Sequence, residues 1–278
     1  MSNWSLMRGV LGESLGLNYA NSRAQMLAIP STTYEWGDWM EICILPFDIE
    51  GMYLNISNSI FSTAGNGPNL IALAMGTSGN EVTIFGPTHV SNMSNIPSAR
   101  IIVYVPFTLP AGTRISAKQF ITGGPPHETY LHIIPQRSTG SFPKGVTPRC
   151  SVYGLDVGST YVDAIELTTP SRNTWGSWTE ITPNTDRDHS VLYVSQVRST
   201  SMTPRTNYAT MLVRIGAGSL GNEQPLIMFP ATTVAYTLLG SPNFIGPFFV
   251  DVPSGTRLSA SMRMSASPYV NGVHLVAL

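Results

Sequence analysis

Charge is scarce in this chain of 278 residues. Asp, Glu, Lys and Arg together make up 11% of it, and lysine occurs only at Lys118 and Lys144; about a quarter is usual for soluble domains. The formal net charge is −1. With no Lys/Arg cluster to neutralise a phosphate backbone, nucleic acid is not expected as a partner. Cysteine is limited to Cys43 and Cys150. Both read as buried small hydrophobes. Long apolar runs are missing too, so no segment is expected to insert in a membrane as a helix. The opening MSNWSLMRGVLGESLGL lacks the continuous apolar core and small-residue cleavage site of a signal peptide. No long amphipathic helix is visible, although residues 2–15 have the pattern for a short one.

What fills the chain instead is Ser, Thr, Asn, Gly and Pro around an apolar fraction of 42%. That apolar share, rich in β-branched and aromatic residues, is too high for a disordered chain. A neutral, hydroxyl- and amide-rich surface favours association with other chains. Short alternating apolar runs separated by Gly, Pro, Asn and Ser predict an all-β fold. In the first half the candidate strands are residues 25–29, 39–45, 52–57, 70–75, 82–85, 100–107, 112–120 and 129–134. That number suits a two-sheet sandwich or jelly roll.

The sequence also repeats itself. WGDWMEI, Trp36 to Ile42, returns as WGSWTEI, Trp175 to Ile181. IALAMGTSGNE from Ile71 answers MLVRIGAGSLGNE from Met211, and PAGTRISA from Pro110 answers PSGTRLSA from Pro253. Each half closes on an apolar run holding one histidine, His132 or His274. Several collinear matches indicate internal duplication. The expected organisation is two tandem β-sandwich, jelly-roll-like domains at residues 13–140 and 141–278, with an N-terminal docking arm at residues 1–12. The RSTGSFPKG stretch from Arg137 has the composition of the connecting turn.

Two motifs nominate residues. In the Gly-Thr-Arg strand, Arg257, Ser259, Ser261 and Arg263 share one face, opposite Leu258, Ala260, Met262 and Met264. Such a strand is either half-exposed, or it uses Arg114 and Arg257 to hold a carboxylate or backbone carbonyls across a domain junction. In the tryptophan motif, strict alternation puts Trp36 and Trp39 on opposite faces, and likewise Trp175 and Trp178. Either both rings seal the sandwich edge, with the glycine bending the chain, or Trp39 and Trp178 lie at a surface. There, with Glu41 and Glu180, they would form an interface or stack on a sugar. Trp4, Leu6, Met7 and Leu11 are the anchors expected of the arm.

Chemistry is harder to find. GESLG, Gly12 to Gly16, matches the nucleophile-elbow pattern without the α/β context that gives it meaning. The five histidines show no metal spacing. TDRDH, Thr185 to His189, gathers two carboxylates and a histidine that could touch a cation, but it reads equally as a solvated loop. No pair of carboxyls is nominated for glycoside hydrolysis. Catalytic, cofactor and metal sites are therefore not expected.

Duplicated all-β units carrying P-x-G-T-R-[IL]-S-A and W-G-x-W, on a Ser/Thr/Asn-rich and lysine-poor chain, resemble virion structural proteins of tailed bacteriophages. The resemblance implies a non-enzymatic subunit of the virion, assembled in the host cytoplasm. Such a subunit joins or decorates tail, fibre or head through contacts with copies of itself and other virion proteins. Duplication favours the tail or fibre, because two domains in series make a spacer. The alternative is a tandem carbohydrate-binding module or adhesin recognising host-surface glycans.

Overall fold

The computed structural model describes residues 17–18, 23–30, 32, 34–58, 69–90, 100–121, 129–137, 146–158, 162–197, 209–233, 244–265 and 270–278. Every helix or strand element among them is a strand. The chain forms two compact units that part between Cys150 and Ser151. The first contains β1 (Leu17–Asn18), β2 (Arg23–Met26), β3 (Glu35–Trp36), β4 (Met40–Ile44), β5 (Ile49–Asn58), β6 (Asn69–Met75), β7 (Val82–Val90), β8 (Arg100–Val105), β9 (Arg114–Ile121) and β10 (Thr129–Arg137). The second contains β11 (Ser151–Tyr153), β12 (Leu155–Val157), β13 (Val162–Thr168), β14 (Thr179–Thr182), β15 (His189–Val197), β16 (Ala209–Ala217), β17 (Gln224–Thr233), β18 (Phe244–Val252), β19 (Leu258–Met264) and β20 (Val270–Ala277).

In the first unit one antiparallel sheet runs β1-β2-β10-β5-β8 and the other β3-β9-β6-β7, with β4 also beside β9. In the second, β12-β13-β20-β15-β18, with β11 beside β20, accompanies β14-β19-β16-β17. The four-strand orders correspond: β2-β10-β5-β8 matches β13-β20-β15-β18, and β4-β9-β6-β7 matches β14-β19-β16-β17. Strands adjacent in sequence are repeatedly split between sheets, as in a jelly roll. In the second unit Leu192, Val194, Val273 and Leu275 from one sheet and Met211, Val213, Ile215, Ala260 and Met262 from the other fill a single core. In the first unit Leu54, Ile56, Leu131, Ile133, Leu73, Ile115 and Ala117 are likewise buried.

All eight strands expected in the first half occur. β7 runs further than its sequence suggests, through Gly86 and Pro87. A Gly-Pro pair reads as a turn, but an edge strand tolerates a proline whose missing N–H would face outward. The connecting turn expected at residues 138–144 lies outside the described residues, and the division between units falls beyond it. Val146 stays with the first unit, donating its N–H to the Pro106 carbonyl at 2.6 Å. The arm, with Trp4, Leu6, Met7 and Leu11, the GESLG stretch and the short helix expected at residues 2–15 also lie outside the described residues.

The tryptophan segment is launched identically in both units. Tyr34 and Asn173, both in the left-handed region at φ 61° and 59°, donate their N–H to Ile121 and Met264 carbonyls at 2.6 Å. Next comes the glycine. Gly37 and Gly176 are not at positive φ, so the expected bend is not their role. A Cβ on Gly37 would sit 2.5 Å from the Ala28 carbonyl oxygen, and one on Gly176 only 1.9 Å from that of Thr168. Glycine is required because the neighbouring backbone comes that close. Gly176→Ala should destabilise the second unit by about 1–3 kcal/mol through this clash, read as a shift in its denaturant midpoint.

Candidate functional site

Sequence alternation predicts that the two rings of each tryptophan pair point apart; the structure overturns this. Trp36 pairs with Phe120 and Met40 with Ala117, so four steps along the tryptophan segment answer three along β9. The same mismatch occurs between Trp175↔Arg263 and Thr179↔Ala260. One extra residue reverses the parity of everything beyond it. The second ring of each pair therefore arrives on the same side as the first.

A cation lies between the rings. In the first unit Lys118 Nζ is 4.7 Å from the Trp36 ring centre and 4.5 Å from that of Trp39. In the second, the Arg214 guanidinium is 4.2 Å from both Trp175 and Trp178. Each contact is of the kind that stabilises by about 0.5–2 kcal/mol, depending on desolvation. Burial lowers the pKa of both Lys118 and Arg214. The cation does not come from the same strand in the two units. Lys118 lies on β9, directly opposite Ala72 of β6. Arg214 lies on β16, directly opposite Ser261 of β19. The positive charge has exchanged places across one cross-strand pair while the aromatic clamp stayed fixed. Gly216 makes room for it: a Cβ there would fall 2.8 Å from the Trp178 ring.

Beside the clamp stands a second repeated device. Arg114 donates from Nε to Glu41 at 2.8 Å, and from Nη1 to Glu81 and to the Gly76 carbonyl, both at 3.0 Å. Arg257 does the same with Glu180 at 2.7 Å, Glu223 at 2.8 Å and the Gly218 carbonyl at 3.2 Å. The expected carboxylate and carbonyl partners are present, but they belong to the arginine's own unit and not to a domain junction. Glu41 and Glu180 are half exposed, whereas the Glu81 and Glu223 side chains are only 5% and 2% exposed. Burial works to raise these two carboxyls; hydrogen bonds from the arginine and the hairpin backbone outweigh it and hold both below their ordinary value. Hydrogen bonds donated to the glutamates push both arginines up.

Glu81, Glu223, Lys118 and Arg214 were not nominated by sequence. A signal for the glutamates existed, because both close a repeated G-x-x-G-N-E turn. Gly76 and Gly218 there adopt φ 119° and 125°, and Gly79 and Gly221 adopt 84° and 83°, conformations that suit glycine. The turn bends back so that the final glutamate meets the arginine. The outer face of β9 and β19 is consequently covered rather than half-exposed: Ser116, Ser259 and Ser261 are fully buried, and Ser261 Oγ donates to the Gly176 carbonyl at 2.7 Å.

Asp186 of TDRDH accepts from Ser151 Oγ at 2.7 and 2.8 Å and from Arg187 Nη2 at 3.0 Å, and it also accepts from the Tyr153 hydroxyl. Tyr153 Oη lies 2.8 Å from Nε2 of the buried His189. The cation at this loop is thus the chain's own Arg187. Burial would raise the Asp186 carboxyl, but hydrogen bonds from Tyr153, Ser151 and Arg187 win and hold it far below the carboxylate range. Among the described residues no group of His, Cys, Asp and Glu is arranged to hold a metal. His132 and His274 both face a polar residue across the ladder, Asn55 and Ser195. Neither cysteine is in a disulfide. Cys43 is buried and its thiol is pushed up to about 12, by burial first and then by Glu41. Cys150, expected to be buried, is only half-buried, with Sγ 3.3 Å from the Gly86 carbonyl.

Two tests follow from this geometry. Lys118→Ser should cost about 1 kcal/mol by emptying the clamp. Adding Ala72→Arg, which recreates the second unit's arrangement, should recover most of it in a double-mutant cycle by urea unfolding. The second test concerns acid. Folded pKa values of Glu81, Glu223 and Asp186 are depressed, so their stabilisation is present above the unfolded values of about 4 and is lost as pH falls below them. The thermal midpoint should drop as pH falls below about 4, and Asp186→Asn should flatten that drop.

No protein-family model matches this chain, and no curated protein matches it. Solved structures offer distant likenesses. One is a chain from the atomic structure of Sulfolobus turreted icosahedral virus, 14% identical with a TM-score of 0.35, covering 97% of this chain and 88% of that one. Another is the N-terminal tandem CBM22 domain of Paenibacillus barcinonensis Xyn10C, 11% identical with a TM-score of 0.25, covering 86% and 82%. A third is the infectious bursal disease virus VP2 subviral particle, 10% identical with a TM-score of 0.27, covering 84% and 58%. At such identities and TM-scores these likenesses carry no argument about function.

Proposed function

We propose that this chain is a non-enzymatic structural subunit of a virus particle, acting through contacts with copies of itself and with other particle proteins. The observation that carries this reading is the strand order. The two units share eight strands, four within each of two antiparallel sheets, in the same jelly-roll order, an architecture used by viral capsid and lectin domains. The reading is supported by where the repeated polar residues go. Arg114, Glu41 and Glu81, their counterparts Arg257, Glu180 and Glu223, and the clamped Lys118 and Arg214 all bind partners inside their own unit. What the units offer outward is a weakly charged surface suited to burial against other chains.

Within virus particles, the resemblance of the Gly-Thr-Arg and tryptophan motifs to tailed-bacteriophage proteins nominates a tail, fibre-attachment or head-decoration subunit. Recognition of host glycans through Trp39 and Trp178 has less to support it. Each of those rings turns a face to the protein's own cation, and each neighbouring glutamate is already bound by an arginine. Immunogold labelling of purified particles with an antibody to this chain should decorate them at regular positions. Particles that never carry the label, from a host expressing the chain, would remove this reading.

A further inference from the structure

A sheet edge presents unpaired N–H and C=O groups, and proteins blunt such edges with very short strands, prolines or bulges. This chain applies those devices almost everywhere. On one side of each sheet the outermost strands are short or bulged: β1 has two residues, β3 two, β11 and β12 three each and β14 four, while β4, with five, shifts register against β9. On the other side the outermost strands are β7, β8, β17 and β18. β7 carries Pro87, β17 carries Pro225 and Pro230, and β18 carries Pro247. Each of those three is also irregular against its neighbour: the registers of β6·β7, β16·β17 and β15·β18 all shift.

β8 is the exception. Its six residues, RIIVYV, contain no proline, and Met52↔Val105 through Ser57↔Arg100 pair with β5 without a register shift. Among the described residues no strand pairs with its other edge. On its outward face Ile102 is 57% exposed, beside the half-buried Tyr104, whose ring centre lies 5.0 Å from that of Tyr53 with the planes tilted by 49°. A regular, apolar edge without a gatekeeper is the arrangement that accepts an added strand.

We infer that β8 is where a second copy of this chain docks, its own β8 pairing antiparallel to extend both sheets into one. This rests on the reading that the protein acts through contacts between its copies. The occupant follows from self-complementarity. A two-fold axis perpendicular to the sheet keeps outward residues on one side, so opposed residues must have the same orientation. With Val103 on the axis, Ile102 of each copy lies opposite Tyr104 of the other, an aromatic–β-branched pair of the kind that stabilises antiparallel ladders. The strand's one charged residue, Arg100, falls at opposite ends of the ladder in the two copies. No like charges are opposed, and both exposed isoleucines are covered.

The test is self-association of the full chain by sedimentation velocity, with hydrogen exchange read on the same samples. Wild type should associate, and those amides of residues 101–105 that point away from β5 should gain protection as concentration rises. Ile102→Lys should weaken association by about tenfold or more, with circular dichroism and thermal midpoint unchanged. Met228→Lys, on the proline-bearing β17 and itself 62% exposed in wild type, should leave association intact. Equal association of wild type and Ile102→Lys, or exchange at 101–105 that ignores concentration, would overturn the inference. The two readings separate cleanly. If particles carry the label but Ile102→Lys associates normally, only the β8 contact falls. If Ile102→Lys dissociates while particles never carry the label, the contact stands and the virion reading falls.

Discussion

A carboxylate buried in each β-hairpin sets the terms for the second sheet of each unit. Glu81 and Glu223 sit at the end of a turn with almost no solvent, and a charge in that position is tolerated only when paired and hydrogen-bonded. The pairing group is an arginine two strands away in the sheet order, which in turn reaches a glutamate on the outermost strand. One guanidinium therefore spans the sheet from hairpin to edge and fixes the relative position of β4, β9 and the β6–β7 turn, or of their counterparts β14, β19 and the β16–β17 turn. The half-exposed outer glutamate contributes little by itself, as exposed pairs do. The buried one matters because removing the arginine would strand it.

The tryptophan clamp solves the neighbouring problem on that face. A strand whose outward positions are Ser116 or Ser259 and Ser261 would be wetted unless something large lies over it. Two indole rings supply the cover, and a cation between them lets the rings meet a positive charge instead of water. Conservation between the units is of the clamp, not of the residue. Either member of one directly opposed pair can carry the charge, since both side chains rise from the same spot on the sheet.

That exchange marks the boundary of what the sequence discloses. Strand positions were legible because alternation and turn residues are local, and the eight strands of the first half follow from them. The partners of Arg114 and Arg257 were half legible: Glu41 and Glu180 stand inside a repeated motif, and the G-N-E turn was visible, but only sheet order brings that turn to the arginine. The tryptophan geometry was not legible. A single extra residue between Trp36 and Met40 inverts parity, and a bulge leaves no mark in the residue pattern other than the glycine beside it. Nor could alignment of the halves reveal the cation, because Lys118 aligns with Ser261 and Ala72 with Arg214.

Where the units differ is as informative as where they agree. Asp48 and Asp188 each accept from the backbone of the following Pro-x-Gly turn, Ala111 N–H and Ser254 N–H, both at 2.7 Å. Immediately before them the units diverge. The first has Phe47, with the Arg137 guanidinium 4.2 Å from its ring. The second has Arg187, paired with Asp186 and through it tied to Ser151 and Tyr153 of β11. The second unit thus uses this loop to hold the strand by which the chain enters it, a task the first does not share. The edges diverge in the same sense: β18 is blunted by Pro247 and a broken register, while its counterpart β8 is left straight and apolar. Shared residues build the two sandwiches, and unshared ones give each sandwich its own entry loop and its own sheet edge.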